Sequence, residues 1–273
     1  MITIAVILTC FNRKAKTLQC LDNLFKQTGI GKQFKLDVYL VDDGSTDGTS
    51  EAVNNLFKEV IVIQGSGNLY WNGGMHKAWK TAVETKHHDF YLWLNDDTFI
   101  FPNAIQEMLD SYSLAGEAVV CGSTCTEKTR EFSYGGRTQE EEEIMPNNHL
   151  QECYIMNGNF VLVSDHITKK VGIIDPIFPH AMGDHDYGLR VIKKGFKIVV
   201  APDYIGFCEK HEKLANWCNP DVPLKKRIKA LYSPLGNHPH YFFIYENRHF
   251  GFFTAAKHYL SIHLRVLIPS LWK

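Results

Sequence analysis

Short, nearly continuous apolar runs recur through the first two-thirds of the chain, separated by stretches with helical spacing. Residues 2–8 are β-branched and apolar, and residues 12–25 follow with Leu18, Leu21, Leu24 and Phe25 at helical intervals. A second strand is predicted over 36–41, and a helix over 51–57 follows the turn-forming Asp-Gly-Ser-Thr-Asp-Gly. A strand over 60–63, a helix over 74–85, a strand over 90–94 and a helix over 103–113 continue the alternation. That order predicts an α/β fold with a mostly parallel sheet covered by helices, and places ligands beyond the carboxyl ends of the strands. Between 119 and 160 the pattern shifts to short strand candidates, a Gly135-Gly136 turn and a Glu140 to Glu143 run, read as an insertion or a switch to antiparallel pairing. A strand over 159–163, a helix over 184–194 stopped by Gly195 and a strand over 196–200 return to the earlier rhythm. The remainder carries a basic segment, 225–229, and aromatic helices from Tyr241 onwards.

Polar clusters stand where apolar runs end. The run 90–94 stops abruptly at Asn95-Asp96-Asp97, so two carboxylates sit at a strand tip. Neighbouring like charges raise each other's pKa unless a cation or donor groups offset them. A hard cation, Mg2+ or Mn2+, suits such oxygens, and the other reading is a cap for the helix expected near Pro102. Asp42-Asp43-Gly44-Ser45-Thr46-Asp47-Gly48 combines acids with turn glycines at another strand end, where a carboxylate can accept hydrogen bonds from a ribose or base. No Gly-x-x-x-x-Gly-Lys-Ser/Thr phosphate loop exists, and the first strand-helix turn lacks Gly-x-Gly-x-x-Gly. Residues 67–75 mix glycine, asparagine and large aromatics ahead of a helix whose first amides would favour a diphosphate. Tyr70 and Trp71 either stack on a base or sugar or pack beneath that helix. Asp184 and Asp186 open a later helix, as a general base or as acids favoured by the helix dipole.

Composition and charge narrow the setting. The chain has 273 residues, 45% hydrophobic and 22% charged, enough for a sizeable core. Residues 1–189 carry 15 Lys+Arg against 25 Asp+Glu and residues 190–273 carry 14 against 5, so a net charge of −1 conceals an acidic part and a basic part. The acidic part suits cations; the basic part suits an anionic partner or membrane surface, unless the two neutralise each other across a contact. Seven cysteines form no regular framework and no signal peptide precedes the first strand, which predicts a reduced, cytoplasmic setting. No run reaches the roughly 18 apolar residues of a spanning helix, so membrane contact would be peripheral. Cys208, His211 and Cys218 lack the spacing and the fourth ligand of a structural zinc site.

Taken together, Thr9-Cys10-Phe11-Asn12-Arg13, the Val41 to Thr49 segment and Leu94-Asn95-Asp96-Asp97 resemble, in order and spacing, the inverting glycosyltransferases of family 2, over roughly the first 200 residues. The resemblance implies a GT-A fold: a Rossmann-like, mostly parallel mixed sheet flanked by helices over 1–212, followed by a helical C-terminal extension over 213–273. It implies that Thr9, Asn12, Arg13, Asp42 and Asp43 hold the nucleoside of a UDP- or dTDP-sugar, and that Asn68, Gly73 and Gly74 line its pocket. Asn95, Asp96 and Asp97 would form the Asp-x-Asp-like site for Mg2+ or Mn2+, with Asp97 the main ligand and His211 a C-terminal one. Asn95 departs from the usual first Asp, and Gly183 stands where Glu is common before the catalytic Asp. The base is therefore Asp184 or Asp186, with Gly158, Asn159, His180 and His185 shaping the acceptor side.

The expected activity is metal-dependent, inverting transfer of a hexose or deoxyhexose to a hydroxyl of a glycan or lipid-linked acceptor in cell-surface polysaccharide synthesis. Rhamnosyltransferases are among the similar enzymes. The alternatives are a sugar-nucleotide nucleotidyltransferase and a non-catalytic binding protein. No nucleic-acid partner is expected. The basic, aromatic extension is expected either to lie on the inner face of a membrane or to pack on the catalytic domain or on a second copy in a homodimer.

Overall fold

Apolar runs alternating with amphipathic helices build a ten-stranded mixed sheet between two helical layers. The computed structural model describes residues 1–210 and 215–272, so the expected boundary at 212/213 lies outside the described residues. The first half runs β1 (Ile2–Cys10), α1 (Lys14–Phe25), β2 (Phe34–Asp42), α2 (Thr49–Leu56), β3 (Val60–Gln64), α3 (Tyr70–Thr85), β4 (Phe90–Leu94), β5 (Phe99–Ile100) and α4 (Ala104–Ala115). The second runs β6 (Ala118–Cys125), β7 (Phe132–Tyr134), β8 (Gln151–Glu152), β9 (Phe160–Ser164), α5 (Asp165–Val171), α6 (Gly183–Lys193) and β10 (Lys197–Phe207). Three helices follow: α7 (Leu224–Leu231), α8 (Pro239–Phe250) and α9 (Phe252–Leu267).

The sheet order is β3-β2-β1-β4-β9-β6-β10-β5, with β7 beside β6 and β8 beside β10. Strands β3, β2, β1 and β4 pair in parallel, β9 enters antiparallel between β4 and β6, and β10 runs parallel to β6. The inner strands read as unbroken apolar runs because both faces are buried. In β1, Ile4, Val6 and Leu8 face the core under α1, α2 and α4, whereas Ala5 and Ile7 face α3, α5 and α6. In β4, Phe90, Leu92 and Leu94 join the first core and Tyr91 and Trp93 the second.

Two sequence expectations change. Of the two readings of 119–160, the switch to antiparallel pairing is the one found, β6 pairing antiparallel with β7 and β9, but β6 itself is a fully buried inner strand whose Ser123 and Thr124 interrupt the apolar signature. Thr124 offsets its burial with a 2.9 Å hydrogen bond to the Ser133 hydroxyl. Strand β10 also continues past the predicted end at 200, because its register against β6 shifts around Pro202-Asp203 and pairing resumes at Tyr204.

The C-terminal helices are joined to this body. Phe178, Leu189 of α6 and Tyr245 of α8 share one buried cluster, and Leu231 of α7 packs with Ile262 and Val266 of α9. Arg227, 8% exposed, donates from Nε to the Val266 carbonyl at 3.1 Å, giving α9 a cation at its negative end.

Candidate active site

Strand ends set the site. A cavity of about 590 Å³ opens beyond the carboxyl ends of β1 and β4, lined among others by Thr9, Arg13, Asp43, Asp96, Asp97 and Asp184. Beneath it, Trp79 of α3, Trp93 of β4 and Tyr187 of α6 form a triangle with ring centroids 5.2–5.4 Å apart. That buried triangle locks together the elements that carry Trp71, Asn95 and Asp184.

The acid pair does not cap a helix: β5 intervenes and α4 starts at Ala104. Instead Arg13 Nη1 lies 3.1 Å from Asp96 Oδ1 and 2.8 Å from Asp97 Oδ2, with Lys16 Nζ 3.7 Å from Asp97. Burial pushes the Asp96 carboxyl up to about 6 even though Arg13 draws it down. Arg13 thus bridges the two carboxylates with donor groups, the kind of neighbour a strand-tip acid pair calls for.

Asn95 is not a weakened acid. Its Oδ1 accepts from Trp71 Nε1 at 2.7 Å, and its Nδ2 donates to Asn159 Oδ1 at 2.6 Å. Indole N–H only donates, so the amide orientation follows, and a carboxylate has no N–H for Asn159. Trp71 lies against Gly158, where an added Cβ would fall 2.6 Å from the indole.

The β2–α2 loop is built from its own acids. Gly44 and Gly48 adopt φ of 81° and 79°, which glycine takes without steric cost. Asp42 accepts from the Ser45 amide at 2.8 Å and from the Ser50 hydroxyl, and it does not line the cavity. Asp43 does. Its oxygens accept from the amides of Gly67, Leu69 and Tyr70 at 2.8, 2.8 and 2.9 Å. Of the amides at the start of α3, expected to receive a diphosphate, those of Leu69 and Tyr70 are thus taken by Asp43. Asn12, with φ of 50°, accepts from the Thr46 amide at 2.7 Å and ties the two loops together outside the cavity lining.

Asn68, Gly73 and Gly74 do not line the cavity either. Asn68 is exposed, and the Gly73 amide donates to the Leu69 carbonyl at 3.1 Å. A Cβ on Gly74 would fall 2.1 Å from Thr9 Oγ1, so this glycine lets α3 approach the end of β1.

At the opposite wall, Asp184 Oδ2 accepts from the Gly158 amide at 3.0 Å and Oδ1 from the His185 amide at 2.9 Å. Asp186, two residues on, is fully buried and points away. It is 2.8 Å from each of Arg190 Nε, Arg248 Nη1 and His249 Nε2. Burial alone would raise its pKa, but the His249 hydrogen bond and both arginines hold it below the ordinary value. Of the two acids the sequence left open, only Asp184 reaches the cavity; Asp186 joins α6 to α8. Gly183 has a local reason too: its Cβ would fall 1.7 Å from Asn72 Oδ1, while Asn72 Nδ2 bonds the Asp175 and Phe178 carbonyls. Asp175 itself accepts from the Ile177 amide at 2.9 Å, as a turn residue. Met182, at φ of 72°, and His180, whose pKa burial draws below its ordinary value, complete this wall with His185.

His211 lies outside the described residues. Among those described, no three His, Cys, Asp or Glu side chains are grouped to hold a metal ion. The Asp96–Asp97 oxygens nevertheless fit a hard cation, since Mg2+ commonly takes one or two carboxylates and completes its shell with substrate phosphates and water. Sequence reasoning missed Cys208, Tyr134 and Leu235 in the lining. Cys208 sits just beyond the unpredicted part of β10, and nothing in the local sequence marks Leu235.

Residues 5–171, more than half of the chain, match the family model described as glycosyl transferase family 2. The chain belongs to that family. Hyaluronan synthase of Streptococcus pyogenes is 31% identical to this family 2 chain over 121 residues, 40% of the chain and 26% of that protein, so the chain spans well under half of that relative. Glycosyltransferase AglE of Haloferax volcanii is 23% identical over 243 residues, 84% of the chain and 70% of that protein. Among solved structures, S. aureus TarS 1-349 in complex with UDP has a TM-score of 0.57 at 16% identity, covering 87% of this chain and 72% of that one. The mannosyltransferase PcManGT from Pyrobaculum calidifontis, in complex with GDP-Man and Mn2+, has a TM-score of 0.58 at 16% identity, covering 93% and 73%. These likenesses establish the GT-A fold for this family 2 chain.

Proposed function

We propose that this family 2 glycosyltransferase moves a hexose or deoxyhexose from a UDP- or dTDP-sugar to a hydroxyl of a glycan or lipid-linked acceptor, with inversion, in cell-surface polysaccharide synthesis. The observation that carries this reading is that one cavity holds an acid pair matched to a diphosphate's counter-cation and, on another wall, the carboxylate of Asp184 held by two backbone amides. Thr9, Arg13 and Asp43, rather than Asp42, face the nucleoside. Asp184 takes the proton of the acceptor hydroxyl, that oxygen bonds the anomeric carbon from the side opposite the diphosphate, and the bond to the diphosphate breaks with its electron pair. Position matters more than basicity here, because an ordinary Asp is a weak base and gains most from holding the acceptor in line. Arg13, which lines the cavity beside Asp97, supplies a fixed cation for the negative charge that grows on the leaving group. A divalent cation on Asp97 and Asp96, Mg2+ or Mn2+, supplies Lewis-acid stabilisation of that charge when bound.

A cytoplasmic setting is supported by cysteine usage, all seven being free thiols. Nucleotidyl transfer has no comparable support, since residues 11–13 between β1 and α1 contain no glycine for a phosphate loop. The test is a panel of UDP- and dTDP-sugars with Mn2+ or Mg2+, read for nucleotide binding by calorimetry and for sugar release or transfer by NMR. The expected result is metal-dependent binding with slow hydrolysis in the absence of acceptor. Neither binding nor turnover with any donor sinks the proposal.

A further inference from the structure

The C-terminal extension leaves one apolar and basic face uncovered. On α9, Phe253 is 88% exposed, Leu260 70%, Leu264 50% and Leu267 54%. Their spacing sets them along one stripe, while Ile262 and Val266 turn inward against Leu231. Helix α7 exposes Leu224 and Ile228 and, among them, Lys225, Lys226 and Lys229. From Val222 to Leu271 the only acid is Glu246, which is buried and lies 2.6 Å from His258 Nδ1. That stretch therefore shows apolar side chains and cations without an exposed Asp or Glu, Asp221 standing just ahead of α7.

That charge pattern decides what can cover the face. A second copy docking by two-fold symmetry would set this lysine-bearing face, Lys257 between Phe253 and Leu260 included, against a face of the same charge. An anionic lipid surface takes the apolar stripe into its headgroup boundary and the lysines onto its phosphates. No helix among the described residues is long and apolar enough to cross a membrane, so this contact is a lateral one. The extension also reaches the site, because Leu235, between α7 and α8, lines the same cavity as Met182 and Asp184.

We propose that the α7–α9 face docks on an anionic membrane surface and presents the cavity to an acceptor carried by that membrane. The identity of the acceptor rests on the glycosyl-transfer reading; the docking does not. The full chain is sedimented with phosphatidylcholine vesicles, with and without phosphatidylglycerol, at low and high salt. Binding is expected with phosphatidylglycerol, weakened by salt. Lys225→Glu with Lys229→Glu, and separately Phe253→Ser with Leu260→Ser, should each lower vesicle affinity by about tenfold or more. UDP binding measured on the same variants reports that the fold is retained. Donor hydrolysis without vesicles reads the transfer chemistry separately, so failure of one proposal is not failure of the other. Unchanged vesicle binding in both variants overturns the docking, as does a chain that ignores vesicles and sediments as a dimer broken by the Phe253 and Leu260 changes.

Discussion

Asn95 shows how one side chain decides what its neighbours can be. Its amide accepts from Trp71 and donates to Asn159, so the residue acts as a bridge across the cavity wall. Asn95→Asp would restore the acid usual in similar enzymes but set a carboxylate oxygen against Asn159 Oδ1, whose own Nδ2 is turned to Cys208 Sγ at 3.4 Å. The expected outcome is a loss of about 1–3 kcal/mol in urea unfolding, with no tighter Mn2+ binding. A stabilised variant would show that the bridge is dispensable. Asp184 is the complementary case, since its two amide partners orient the carboxylate without neutralising it. Asp184→Asn keeps the size of the side chain but cannot take a proton, and its Nδ2 would face one of the two backbone N–H groups that the carboxylate accepts from. Nucleotide binding should be retained while kcat for transfer falls by about 10²–10⁴. Near-normal transfer would remove Asp184 from the role of base.

At the scale of elements, the start of α6 depends on a glycine that no periodicity would single out. Asn72 on α3 reaches over Gly183 to hold the 175–178 loop, leaving no room for a Cβ. Gly183→Ala is expected to cost about 1–3 kcal/mol by overpacking, and to lower kcat more than it raises KM because Asp184 is the next residue; equal stability in a thermal melt would contradict the close approach. The same contact explains what was legible beforehand. Strands buried on both faces, such as β1 and β4, advertise themselves by unbroken apolar runs, and helices α1 and α4 by their spacing. Strand β6 hides because small polar residues satisfy each other inside the sheet, and β10 because a proline and a shifted register interrupt it. Within the site, the clusters at 9–13, 42–47 and 95–97 were visible, but the division of labour inside them was not. Asp42 and Asp43 are chemically identical neighbours, and it is the Ser45 and Ser50 donors on one and the three amides of the distant 67–70 segment on the other that distinguish them.

For the whole molecule, Asp186 decides whether the extension behaves as an appendage or as part of the catalytic body. One fully buried carboxylate draws in Arg190 from its own helix and Arg248 and His249 from α8, and Arg248 also reaches Asp175 at 2.9 Å. Removing the charge leaves Arg248 to Asp175 and Arg190 to the Val171 and Ile173 carbonyls, so Asp186→Asn should lose about 1–3 kcal/mol near neutral pH. The sign of the pH dependence follows from the direction of the shift. The folded-state pKa lies below the ordinary 3.8, so the stabilisation is fully present above that value and is lost as pH falls through the lower folded one. Urea unfolding of both proteins from about pH 7 down to about pH 3 should therefore show the gap between them constant above roughly pH 5 and narrowing below pH 4. Because the clamp joins α6 to α8, the variant should also expose α8 to hydrogen exchange at a lower opening free energy than the β1–β4 core. A gap that stays constant into acid would mean that the charge of Asp186 is not what holds the extension in place.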